Sequence, residues 1–230
     1  MQVAVISDLH LGTGGSTDAF RHDDHEFVGF LRFLERNFEK IVLLGDIWET
    51  LTRVPGAQAA ELRLAQEHHH EIARQFSKPQ YQYVHGNHDL VAGKVQGAPA
   101  EYALECDGVR ILFGHGHQGD DLCSRARLFS EVAVWLGAWL RRLGLAPIYS
   151  YFQELETRRT SAEACPVRRW ALEEASSRSA DIVVTGHTHR PAKAADENRL
   201  FLNSGSCSEG NINFLSLDTK RSIFEVHSGY

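Results

Sequence analysis

A chain of 230 residues with 43% hydrophobic side chains is long and apolar enough to build one ordinary domain around a sizeable core, which excludes a disordered chain. A formal net charge of −6 and a pI near 6.1 argue against a broad basic surface, so no nucleic-acid partner is expected. The four cysteines, Cys106, Cys123, Cys165 and Cys207, stand far apart with no C-x-x-C pair, which excludes a disulfide framework and a zinc-finger spacing.

From its first residues, "MQVAVISD", the chain enters a strand-like run without the basic, apolar and small-residue regions of a secretory signal, so a cytoplasmic protein is expected. Further valine- and isoleucine-rich runs follow at "KIVLLG" (40–45), "YQYVHG" (81–86), "VRILFG" (109–114) and "DIVVTG" (181–186), each reading as a buried strand after "VAVIS" (3–7). Between them, Phe27, Phe30, Leu31, Leu34 and Phe38 recur at helical spacing, and "AQAAELRLAQEHHHEIARQF" (57–76) reads as a second helix. Alternation of strand and helix implies βαβ units, whereas "RLFLNSG", "INFLSLD" and "RSIFEVH" from Arg199 onward read as consecutive strands. The apolar stretch "VAVWLGAWLRRLGLAP" (132–147) meets Arg141 and Arg142 after nine apolar residues, short of the roughly 18 a membrane span needs.

Metal-ligand chemistry stands at the end of each of the first five strands: "DLH" (8–10), Asp46, "GNHD" (86–89), "HGH" (115–117) and "HTH" (187–189). Sites in open α/β sheets lie at the carboxyl ends of the strands, so five loops converge on one crevice. Their donors are oxygen and imidazole without thiolate, a mixture that suits Mn, Fe, Zn, Co or Ni, and seven of them are too many for one tetrahedral centre. Two divalent metal ions are implied, with a carboxylate such as Asp46 able to bridge ions about 3.5–4 Å apart and hydrolysis at phosphorus as the chemistry.

These motifs, "DLH", "GDIWE", "GNHD", "GHGH" and "GHTH" in this order, resemble the calcineurin-like metallophosphoesterases. The resemblance implies a four-layer αββα sandwich, classed α/β (α+β), as a single domain over 1–230. It puts Asp8, His10, Asp46 and His189 on one metal, and Asp46, Asn87, His115 and His187 on the other. Within the family, "SDLHLG", "HGHQGDDLC", "GHTHRP" and "NSGS" are most similar to the branch of the UDP-2,3-diacylglucosamine hydrolases. That implies hydrolysis of a phosphodiester or pyrophosphate bond by metal-activated hydroxide, on a phosphorylated small molecule or a UDP-sugar lipid. One departure stands out: the pathway enzymes carry arginine where this chain has His88, as general phosphodiesterases and phosphatases of the superfamily do. A catalytic histidine there can protonate a leaving oxygen or steady charge on the phosphoryl group. A phosphoprotein phosphatase, a nuclease and a non-enzymatic scaffold with this fold are the alternatives.

A helical insertion of about 118–170 is expected as a lid, its stripe of Leu128, Val132, Trp135, Leu136 and Trp139 either packing as core or holding an acyl chain with peripheral contact to the membrane surface. His68, His69 and His70 are expected on a solvated helix face, and Asp23 and Asp24 at a helix start. Glu49 is expected to support a metal ligand through a hydrogen bond, Asp89 either to orient His88 or to cap a turn, and Asn203 and Ser204 to shape a turn. For His117, substrate contact and simple packing are equally open.

Overall fold

The computed structural model describes residues 1–15, 18–52, 56–120, 165–196 and 198–229. Strands β1 (Gln2–Ile6), β2 (Lys40–Leu44) and β3 (Tyr81–Val84) lie parallel in the order β1-β2-β3. The tail strands β9 (Asn213–Asp218) and β10 (Ile223–Ser228) extend this sheet on the other side of β1, in antiparallel register, so that β1 is held between β2 and β9. The second sheet runs β4 (Glu101–Cys106), β5 (Val109–Gly114), β6 (Ile182–Thr185), β8 (Arg199–Ser204) and β7 (Pro191–Asp196), with the central pairs parallel and both edges antiparallel.

Alternation along the strands builds the layers. Val3, Val5, Val42, Leu44 and Val84 face Ile111, Phe113, Ile182, Val184 and Leu202 between the two sheets. The intervening residues Ala4, Ile6, Ile41 and Leu43 pack outward against Phe27, Leu31 and Leu34 of α1 (Asp24–Asn37). On the far side, Leu112, Val183 and Phe201 cover Ala171 and Ala175 of α5 (Pro166–Ser177). Helix, sheet, sheet and helix stack as the αββα sandwich. Burying a Val, Leu, Ile or Phe side chain contributes about 1.5–3 kcal/mol, so each face of each sheet is a substantial stabilising layer.

The helix expected over 57–76 is two helices. α2 (Gln58–His68) and α3 (His70–Phe76) meet at His69, whose φ of −100° and ψ of 44° leave helical geometry. His69 is also not on a solvated face: it is 5% exposed, its Nδ1 lies 2.8 Å from Asp24 Oδ1, and its ring packs on Phe20. A long-range carboxylate and an aromatic partner override the local pattern. Asp23 caps α1 by accepting the Glu26 N–H, as expected of that helix start. Short α4 (Val91–Gln96) follows the "GNHD" loop. The insertion expected over about 118–170 falls mainly on 121–164, outside the described residues. Among the described residues no helix is long and apolar enough to cross a membrane.

Candidate metal centre

The ends of β1 and β2 continue past the sheet as a pair of interlocked loops. Asp8 N–H donates to the Gly45 carbonyl at 3.0 Å, His10 N–H to that of Asp46 at 2.9 Å, and Leu11 N–H to that of Ile47 at 2.9 Å. A single carboxylate ties the third loop in. Asp89 accepts from the backbone of Asp46 (3.3 Å), Ile47 (2.7 Å), Trp48 (3.3 Å) and Gly86 (2.6 Å), and from the Tyr83 hydroxyl (2.6 Å). Of the two roles open to Asp89, the structure shows the turn-organising one. From the second sheet, Gly186 N–H donates to the His115 carbonyl at 3.0 Å, and Asn203 holds the same loop through Thr185 Oγ1 (2.9 Å) and the Gly186 carbonyl (2.6 Å).

Five expected ligands adopt a left-handed backbone: Asp8 (φ 54°), His10 (52°), Asp46 (51°), His187 (67°) and His189 (56°). Each such non-glycine residue costs on the order of 1–3 kcal/mol, a strain that accumulates where function overrides local preference. The glycines beside them make room. A Cβ on Gly186 would meet Asp8 Oδ2 at 2.6 Å, and one on Gly86 would run into the Asp46 carboxylate.

The ligand atoms of Asp8, His10 and His189 come within 4.8 Å of one another, as do those of Asp46, His115 and His187; Asp46 also groups with His10 and His88. His115 donates from Nδ1 to the Leu44 carbonyl at 2.8 Å, which in the neutral ring leaves Nε2 as the acceptor, and that Nε2 faces Asp46 Oδ2 at 3.2 Å. His10 directs Nδ1 at Glu49 Oε2 (3.3 Å) and meets His189 Nε2 with its own Nε2 at 3.3 Å. Once His115 is neutral, as a metal ligand must be, its Nε2 faces the Asp46 carboxylate acceptor to acceptor, and neither that Nε2 nor Asn87 Oδ1 has a hydrogen-bond partner to replace the ion. A divalent cation satisfies such an arrangement, so the residues present fit metal ions.

Electrostatics around the centre are strong. Burial alone would lower the His115 pKa, but the Asp46 and Asp8 carboxylates outweigh it and raise it to about 9 in the metal-free protein. His88 behaves alike: burial opposes, while Glu49 and Asp46 raise it to about 10. Glu49 Oε2 sits 2.8 Å from His88 Nδ1, so one carboxylate supports both His10 and His88. The His88 backbone is fixed too, its N–H donating to Asp46 Oδ1 at 2.8 Å and its carbonyl accepting from Thr50 Oγ1. His117 is buried beside His115, ring centroids 5.6 Å apart, and burial followed by the charge of His115 pushes its pKa down to about 3, leaving a neutral ring. Two contributors escaped the sequence reading: Asp120, 3.5 Å from His187 Nε2, and Ser7, which hydrogen-bonds the Asp8 carboxylate and Ser204. Only Asp120 left a signal, an acidic residue five positions after His115.

The calcineurin-like phosphoesterase family model matches residues 1–191, and the chain belongs to that family. The protein is accordingly a metal-dependent hydrolase of phosphoric ester or diphosphate bonds. It is similar to a UDP-2,3-diacylglucosamine hydrolase of Pseudomonas aeruginosa, 30% identical over 84% of each chain. Another relative of the same name, from Ralstonia nicotianae, is 27% identical over 82% of this chain and 77% of that protein. Among solved structures, Chaetomium thermophilum Vps29 shares the fold at a TM-score of 0.50 and 16% identity, over 100% of this chain and 92% of that one.

Proposed function

We propose that the protein is a dinuclear phosphoesterase that hydrolyses a diphosphate or phosphodiester bond in a UDP-sugar lipid of the UDP-2,3-diacylglucosamine kind. The observation that carries the dinuclear reading is the convergence of donors from five strand-end loops with buried acceptors left facing one another. Asp8, His10 and His189 would hold one ion and Asn87, His115 and His187 the other, with Asp46 between them; manganese is the first choice, and Fe, Zn, Co and Ni suit the same donors. Ions so held polarise a phosphoryl group and lower the pKa of water toward neutrality.

His88 supplies the proton. Glu49 and Asp46 favour the imidazolium form, in which Nδ1–H is held by Glu49 and Nε2–H would give its proton to the leaving oxygen, leaving a neutral ring. An arginine at this position could steady charge but could not give up a proton near neutral pH, so His88 adds acid catalysis that arginine cannot. The named relatives support the substrate class. An amphiphilic substrate would set the enzyme in the cytoplasm at the membrane surface, with the apolar sequence of the insertion meeting the acyl chains.

Two experiments test this reading. Manganese-loaded protein should contain two metal equivalents by elemental analysis and hydrolyse bis(p-nitrophenyl) phosphate; one equivalent or fewer refutes the dinuclear centre. Acylated UDP-sugar should be cleaved with a much higher kcat/KM than the unacylated sugar, and Trp135→Asp should erase that advantage while sparing the small diester. Equal cleavage of the two sugars removes the lipid part of the proposal.

A further inference from the structure

Beside Asn87 and His88 lies a cleft of about 100 Å³. Ligand pockets for whole small molecules run to roughly 300–1,000 Å³, so this cleft is the size of one small group. Its walls come from the two loops that Asp89 binds together. Thr50 stands on one; Asn87, His88 and Lys94 belong to the other and to α4; Gln58 opens α2; the rest of the lining is apolar. No carboxylate is among the described residues that line it. Lys94 is the lysine of that lining, so the cleft offers a cation and no opposing carboxylate to an anion.

Lys94 has no counterpart charge of its own. Among the five lysines, Lys78 pairs with Glu35 at 2.6 Å, Lys193 donates to the Phe224 carbonyl at 2.7 Å, Lys40 lies over the Tyr102 ring at 5.8 Å, and Lys220 acts on Asp107. The Lys94 ammonium makes no hydrogen bond, ion pair or ring contact among the described residues. Its place is nevertheless defined: Ala92 N–H donates to the Asp89 carbonyl at 2.8 Å, which pins α4 to the loop that carries His88, and a Cβ on Gly93 would press on His85 and the Ala98 carbonyl. A four-carbon stem then brings a compact, rotatable charge to a cleft of hydroxyl, amide and imidazole groups.

Resting on the reading of the centre as a phosphoesterase, we propose that this cleft seats the second, non-reacting phosphoryl group of a diphosphate substrate, and that Lys94 is the residue that makes the enzyme prefer diphosphates to simple esters. The phosphoryl group under attack lies at the metal centre; its neighbour, one bridging oxygen away, enters the cleft, where Lys94 meets its charge and the Gln58 side-chain amide offers a donor to its oxygens. Charge-assisted hydrogen bonds of this kind are worth roughly tenfold or more in affinity.

The test measures binding of two stable probes, methylenediphosphonate and methylphosphonate, to manganese-loaded full-length protein by calorimetry, with matched free metal. Wild-type protein should bind the diphosphonate at least about tenfold tighter, Lys94→Ala should lose most of that preference, and Lys94→Arg should keep it. Lys94 is exposed on α4, and an unchanged melting curve for Lys94→Ala verifies that its fold is intact. A preference that persists undiminished in Lys94→Ala overturns the proposal, since the metals alone would then account for it, and leaves the phosphoesterase reading standing. Failure of both probes to bind the metal-loaded wild type overturns both. In turnover, the ratio of kcat/KM for a diphosphate to that for bis(p-nitrophenyl) phosphate should fall by a similar factor in Lys94→Ala.

Discussion

At the scale of the residue, His88 and His115 show how one set of carboxylates prepares two different tasks. His88→Asn should lower kcat by roughly 10²- to 10⁴-fold while metal content, read by elemental analysis, stays at two equivalents; lost metal would make His88 a ligand instead. Metal entry has a proton cost that can be measured. With its pKa raised to about 9, His115 is protonated at neutral pH in the metal-free protein, so loading must expel that proton and affinity should climb as pH rises toward 9. Calorimetric titration in two buffers of different ionisation enthalpy should show net proton release; identical heats would refute the raised pKa. The same shift governs the metal-free fold. Its stabilising share is complete below the ordinary histidine value of 6.5 and is lost as pH rises through about 9, so the metal-free protein should melt lower at pH 9 than at pH 6.5. The gathering of Asp8, His10, Asp46, His88, His115, His187 and His189 was legible because strand ends in an α/β sheet are where side chains converge. The double duty of Glu49 was half legible: its support of a ligand follows from chain position, but its grip on His88 depends on where a third loop folds.

At the scale of the element, Asp89 is the keystone of the loops that close the first sheet. Asp89→Ala would leave several buried donors without an acceptor, each costing about 1–3 kcal/mol, and should destabilise the protein by about 3 kcal/mol or more in denaturant titration. A loss below about 1 kcal/mol would show that water replaces the carboxylate. Strands β1, β2, β5 and β6 could be read because they lie inside their sheets and valine, isoleucine and leucine fill them, and edge strand β3 because its aromatic residues and valine favour extended backbone. β4 ("EYALEC") and β7 ("PAKAAD") could not: both are sheet edges with alternating half-exposed faces and few β-branched residues, so little in them is apolar enough to announce a strand. The tail strands were legible singly, but not their partners, since β8 joins the second sheet while β9 and β10 cross back to the first.

For the whole molecule, the left-handed ligand residues leave the metal-free state strained, with the Asp8 and Asp46 carboxylates balanced only by the surrounding histidines. Ligands that bind only the folded state stabilise it by about 2.7 kcal/mol at a hundredfold excess over Kd, which for a chain of this size raises Tm by roughly 5–10 °C. Chelation should lower the melting temperature by that much, and no shift would mean that the centre takes no ion. The position of β1 between β2 and β9 bears on another clock, that of synthesis. β2 ends at Leu44 and β9 at Asp218, so at about 5–20 residues per second the ribosome leaves one edge of β1 unpaired for about 9–35 s after its first partner has emerged. During that wait the strand offers open backbone groups and the apolar side chains of Val3, Ala4, Val5 and Ile6 to any neighbouring chain. A nascent polypeptide halted before Asn213 should therefore aggregate or stay bound to a chaperone, and release to a soluble form should coincide with delivery of its last two strands.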